Sequence, residues 1–138
     1  MSNAVAVVTA EKAPFGVIPA YSSIVGDDME ARIALFSAVS TSALIDSVLN
    51  KEMEIQDVVM EPAEFVNERT GVLENSARIT LITPSGESYR ASSVPLYQDV
   101  VRMLAIVGEP HTWARPVKLV IGKDGTGTSK YFTIKSIK

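Results

Sequence analysis

A chain of 138 residues, 46% of them hydrophobic, is the size of one domain and carries enough apolar material for a core. It has no cysteine, which excludes disulfides, thiolate metal sites and cysteine nucleophiles, and its one histidine, His111, is a poor basis for a metal site or triad. The formal charge of −3 would disfavour a polyanionic partner if it were evenly spread.

It is not evenly spread. Residues 1–76 hold four basic side chains (Lys12, Arg32, Lys51, Arg69) against twelve acidic ones, a balance of −8, whereas residues 77–138 hold nine basic against four acidic, a balance of +5. A polyanion is bound by a local patch, so the second half is the candidate surface. No apolar run reaches the roughly 18 residues that span a bilayer, and Met1–Ala10 lacks the basic flank of a secretory signal, so a cytoplasmic protein without membrane contact is expected.

In chain order, residues 1–26 are broken by Pro14, Gly16, Pro19 and Gly26 and read as a flexible arm, whose Phe15, Val17, Ile18 and Tyr21 could dock on a neighbour. Residues 27–50 read as a short helical extension. Asp27 and Asp28 stand at a helix start, Met29–Val39 follows with Ile33, Phe36 and Ala38 toward one side, and Ala43–Asn50 suggests a further helical turn or two.

From Glu54 the apolar period becomes two, and Ile55–Val66 predicts a long strand with a bend or bulge at Pro62, before a polar connection over Asn67–Asn75. Thr83-Pro84-Ser85-Gly86 predicts a tight hairpin that opposes Leu81 to Tyr89 and Ile79 to Ala91. Ala77, Ile79, Leu81, Tyr89 and Ala91 then form a core face. Arg78, Thr80, Ile82, Ser88, Arg90 and Ser92 form the opposite one, polar, basic and almost free of acid.

Pro95 opens a helix carrying Leu96, Val100, Leu104 and Val107 that ends at Gly108, and two strands around Val117–Ile121 and Tyr131–Lys135 flank a glycine-rich loop, residues 122–129. The order strand, strand, strand, helix, strand, strand is that of an OB-fold, so residues 51–138 are expected to form a mainly β, five-stranded barrel with one helix between strands 3 and 4.

Nothing in the chain assembles an enzyme or a cofactor site. Glu61, Glu64 and Glu68 read as a solvated acidic surface, His111 as a turn residue, and Gly122–Gly127 lacks the Gly-Lys-Ser/Thr ending of a phosphate loop. Binding of single-stranded nucleic acid needs cations beside aromatic planes. Arg78, Arg90, Lys118, Lys123, Lys130 and Lys135 supply the cations, Tyr131 the plane, with Trp113 and Tyr97 as weaker stacking candidates and Trp113 better suited to closing the barrel end.

The residues Asn67-Glu68-Arg69-Thr70-Gly71, Arg78-Ile79-Thr80-Leu81, Pro84–Ser93, Gly108–Trp113 and Pro116–Leu119, with a looser match in Ala34–Ala38, resemble the single-stranded DNA-binding proteins of bacteriophages and mobile elements of Gram-positive bacteria. Ser85 departs from that pattern, in which Asp or Asn is commoner. The resemblance implies a non-enzymatic OB barrel that coats unpaired DNA during phage-type replication or recombination, in a host cytoplasm. The competing expectation is a protein-interaction or virion structural module, with self-association through the N-terminal arm in either case.

Overall fold

The computed structural model describes residues 21–26, 28–67, 69–127 and 130–138. In chain order these form β1 (Tyr21–Ser22), α1 (Met29–Ser40), β2 (Ala43–Leu44), a 3-10 turn (Ile45–Val48), β3 (Glu52–Ile55), β4 (Asp57–Val66), β5 (Leu73–Ile82) and β6 (Ser88–Ser92). Then come α2 (Val94–Val107), a second 3-10 turn (Pro110–Thr112), β7 (Val117–Asp124) and β8 (Tyr131–Ile137). The protein is mainly β, with one sheet ordered β1-β4-β5-β6-β2 and another ordered β3-β7-β8.

The long first strand of the sequence reading is two strands, and its break falls at Gln56 rather than Pro62. β3 pairs with β7 and β4 with β5, so residues 52–66 pass from one sheet into the other. Pro62 lies inside β4 opposite Ala77. Val58 exchanges bonds with Ser23 on the outer edge, donating to its hydroxyl at 2.8 Å and accepting its N–H at 2.9 Å. Alternate residues face that edge, and among the described residues β1 pairs only with Val59 and Met60, so no described ladder partner stands opposite the N–H that Pro62 lacks. The connection between β4 and β5 is also shorter than expected, because β5 begins at Leu73.

The β5–β6 hairpin has the expected register, Leu81 to Tyr89 and Ile79 to Ala91, with Gly86 at φ 95° in the turn. Pro84 presets the turn and Gly86 supplies the left-handed residue that a side chain would strain. The inner faces of both sheets close on one core of Ile55, Val58, Ile79, Leu81, Val117, Leu119 and Ile121. α2 seals it with Leu96, Val100 and Met103; Ser93 caps the helix by accepting the Leu96 N–H at 3.1 Å, and Gly108 ends it. Leu104 packs against this core, but Val107 is exposed and Met103 takes its expected place, because the last helical turn overhangs the core beside β8.

A closed five-stranded barrel is absent among the described strands. The outer edge of β6 is taken by β2, which runs parallel to it with Ala43 beside Tyr89 and Leu44 beside Arg90. β8 pairs with β7 alone, and the carboxylate of Asp99 on α2 accepts from the Ile134 N–H at 3.0 Å and the Thr133 hydroxyl at 2.6 Å. No described helix is long and apolar enough to cross a membrane.

The N-terminal reading changes most. Residues 1–20 and Asp27 lie outside the described residues, and with them the expectations for Phe15, Val17 and Ile18. Tyr21 does not wait for a neighbour: it belongs to β1 and packs on the chain's own core, its hydroxyl 3.5 Å from Glu109. Burial and the Glu109 carboxylate push that phenol well above the ordinary tyrosine range.

Asp28 caps α1 by accepting the Ala31 N–H at 2.8 Å. The helical turn expected within residues 43–50 is the 3-10 turn at Ile45–Val48, whose Ile45 is buried in the core, but Ala43 and Leu44 ahead of it form β2 instead. The expected inner side of α1 is reversed as well. Ile33 and Phe36 are 55% and 70% exposed, while Ala38, with Leu35 and Val39, packs on Val59 and Ile82.

Candidate nucleic-acid interface

The outer face of β5 and β6 was the expected binding wall, and α1 lies across much of it. Thr80, Ile82 and Ser88 are buried, and the Ser88 hydroxyl donates to the Ala38 carbonyl at 3.0 Å. Arg90 is half-buried and its guanidinium is spent inside the molecule, donating to the Ser42 carbonyl and lying 3.4 Å from the Ser42 hydroxyl. It holds the end of α1 to the sheet rather than facing a ligand.

Arg78 remains exposed, but an acid does stand opposite it. The register sets Glu61 of β4 beside it, on the side away from Ser92 of β6. Burial raises the Glu61 carboxyl above the usual range, and the charge of Arg78 pulls partly the other way. The expectation of two unopposed cross-strand arginines is therefore corrected: reading the β5–β6 hairpin alone omitted its third strand.

The β7–β8 hairpin presents a different surface. Lys123 and Phe132 are directly opposed, with the lysine nitrogen 5.1 Å from the ring centre, a cation–π contact, and 3.7 Å from Asp46 in the first 3-10 turn. On the other face Tyr131 stands opposite Asp124 with 42% of its surface exposed, and Lys130 beside it is exposed.

One extra residue on β8, Lys135, separates the pairs Val120–Ser136 and Ile121–Ile134. Its stem crosses Gly122 to bring the ammonium 3.9 Å from Asp124. A Cβ at Gly122 would sit 2.9 Å from that stem and 2.8 Å from the Asn50 amide oxygen, so only glycine lets the lysine lie there.

The remaining expected residues sit apart from this end. Lys118 is half-buried opposite Glu54, and beside it Lys138 pairs with Glu52 at 3.3 Å, so the outer face of β3 and β7 carries alternating charge. Trp113 packs against the core and donates its ring N–H to the Gly108 carbonyl at 2.8 Å, which ties it to the end of α2 and withdraws it from stacking. Tyr97 is half-buried against the core, beside Val94, Pro62 and Ala77 around a cavity of about 250 Å³.

Two residues escaped the sequence reading. Phe132 packs against the core, as its alternation suggests, and also partners Lys123 at the hairpin end, a contact that alternation alone does not show. Arg69 is exposed in the β4–β5 turn, its N–H held by the Asn67 side chain at 3.0 Å, and its Asn-x-x-Thr-Gly turn context was the available signal. No group of three or more His, Cys, Asp or Glu residues suited to a metal ion occurs among the described residues. No family model matches the chain, and no curated protein or solved structure matches it.

Proposed function

We propose that this protein binds single-stranded DNA without sequence preference and without catalysis, coating unpaired DNA in phage-type replication or recombination. The observation that carries the proposal is the β7–β8 hairpin, on which the exposed Lys123, Lys130 and Lys135 gather at the same end as the open ring of Tyr131, Lys123 on the opposite face from that ring. The ion pairs that engage Lys123 and Lys135 are 3.7 and 3.9 Å long and exposed on both sides. Exposed pairs of this kind contribute about 0–1 kcal/mol each, so phosphates can displace their acids at small cost. Tyr131 adds a plane for one base, a contact of about 1–3 kcal/mol.

The strand order supports an OB-type module. Residues 52–66 act as one bent strand shared by two sheets, followed by β5, β6, α2, β7 and β8. In such modules the hairpin loops after the first and fourth strands hold the oligonucleotide. Here those are the Arg69 turn and the turn beyond Asp124. The strand face between them contributes Arg78 and Ser92 at its open end, and α1 covers the rest.

With four to six phosphates neutralised, log affinity should fall with log salt at a slope of about −3 to −4. Fluorescence anisotropy of a labelled oligo-dT across a salt series measures it. Undetectable binding, or binding indifferent to salt, rejects the proposal, and stronger competition by matched RNA moves it to RNA. An interaction module is the second reading, favoured by the apolar side chains that α1 turns to solvent.

A further inference from the structure

Helix α1 packs Leu35, Ala38 and Val39 on the sheet and leaves a second apolar side facing outward. Met29, Ile33 and Phe36 are 65%, 55% and 70% exposed and fall at i, i+4 and i+7, so they form one stripe along the solvent side. Ala38 makes the buried contact. A helix that needed only to cover Val59 and Ile82 has no use for an outward phenylalanine.

From this stripe we infer that α1 is a self-association surface whose occupant is α1 of a second copy of the chain. The spacing is self-complementary to within one residue about a two-fold axis beside Ile33. Antiparallel helices would set Ile33 beside the partner's Ile33 and Met29 one position away from the partner's Phe36, an isologous contact. The charged residues of α1 are Glu30 and Arg32, opposite in sign, so two copies carry no net repulsion along the helix.

The stripe amounts to roughly 350 Å² of apolar side chain, taking about 150–200 Å² for each when fully exposed. That matches the largest patch a monomer leaves to solvent, about 300–600 Å², which is often functional. With the flanks of the helix each copy would bury roughly 500–600 Å², which places the pair among weak, reversible interfaces below about 1,200 Å² in total. A dissociation constant of the order of 10–100 μM is expected.

Two copies held on one DNA strand would meet at a far higher effective concentration, so the contact would act chiefly between bound neighbours. The inference does not depend on DNA binding, because association is measured on the free protein.

The chain has no cysteine, so one introduced thiol reports one contact. Under mild oxidation Ile33→Cys should form a disulfide-linked dimer at least tenfold faster than Ser85→Cys, a control in the β5–β6 turn. Sedimentation of the unmodified full chain should show a concentration-dependent dimer that Phe36→Glu abolishes while leaving the melting temperature unchanged. If α1 serves a different protein, the chain stays monomeric at every concentration and Ile33→Cys oxidises no faster than the control; either result overturns the inference and leaves the DNA-binding proposal standing.

Discussion

The outer face of β5–β6 and the end of the β7–β8 hairpin are equally basic in sequence, and the fold treats them in opposite ways. On the first, Arg90 is turned inward to Ser42, Arg78 faces Glu61, and α1 buries the positions between. On the second, the lysines reach acids only through exposed contacts, and Lys130 and Tyr131 face water. Local charge therefore marks where a polyanion could bind only after the opposing strand and the covering helix are known. The difference lies in desolvation: a guanidinium held against a buried carbonyl is costly to recover, whereas an exposed ammonium is not.

The strongest way to break this contrast is to remove the hairpin cations together. Lys123, Lys130 and Lys135 replaced by Ala should weaken oligo-dT binding about 100-fold at low salt and make the salt slope shallower by about 2, read by anisotropy. Tyr131→Ala should follow, with a loss of about 1–3 kcal/mol in affinity and an unchanged slope, since stacking releases no counterion. Arg90→Ala should do the converse. Its binding should stay within about twofold of the parent protein, while denaturant unfolding shows a loss of about 1–2 kcal/mol from the orphaned Ser42 carbonyl. A large affinity loss in that variant would return the strand face to the site.

The smallest effect concerns pH. Burial raises the carboxyls of Glu61 and Asp57 in the folded protein, against the opposing pull of Arg78 on one and of hydrogen bonds from Ser23 and Gln56 on the other. The folded chain then binds more protons than the unfolded one as the pH climbs out of the ordinary carboxylate range. Stability should accordingly fall with rising pH and level off once both groups have ionised. Glu61→Gln should raise the melting temperature at neutral pH and flatten that decline; a profile identical to the parent protein would remove Glu61 as a cause.

The hairpin register, the cap at Asp28 and the start of α2 were legible because single residues determine them: Pro84 and Gly86, an aspartate ahead of an apolar run, and Ser93 with Pro95. The split at Gln56 was not, because Pro62 is the stronger local signal and only the position of β1 shows that its missing N–H is harmless. The course of α1 was misread for a related reason. Periodicity finds the stripe of Ile33 and Phe36 but does not say which side of a helix the sheet will take. Of the nine candidate site residues, the sequence placed Lys123, Lys130, Tyr131 and Lys135 on one hairpin, since strand neighbours are also neighbours in space. The acids Asp46 and Glu52, remote along the chain, could not be assigned to Lys123 and Lys138 from local pattern.

The two-residue strand Ala43–Leu44 is joined to α1 by Thr41 and Ser42 alone, and Ser42 receives the Arg90 guanidinium. So short a leash means that the helix cannot lift from the sheet while that edge stays zipped, nor the edge unzip while the helix stays seated. The amide of Arg90, which faces that edge while the Tyr89 amide faces β5, thereby becomes a clock for the helix, exchanging its hydrogen at the rate at which the whole flap opens.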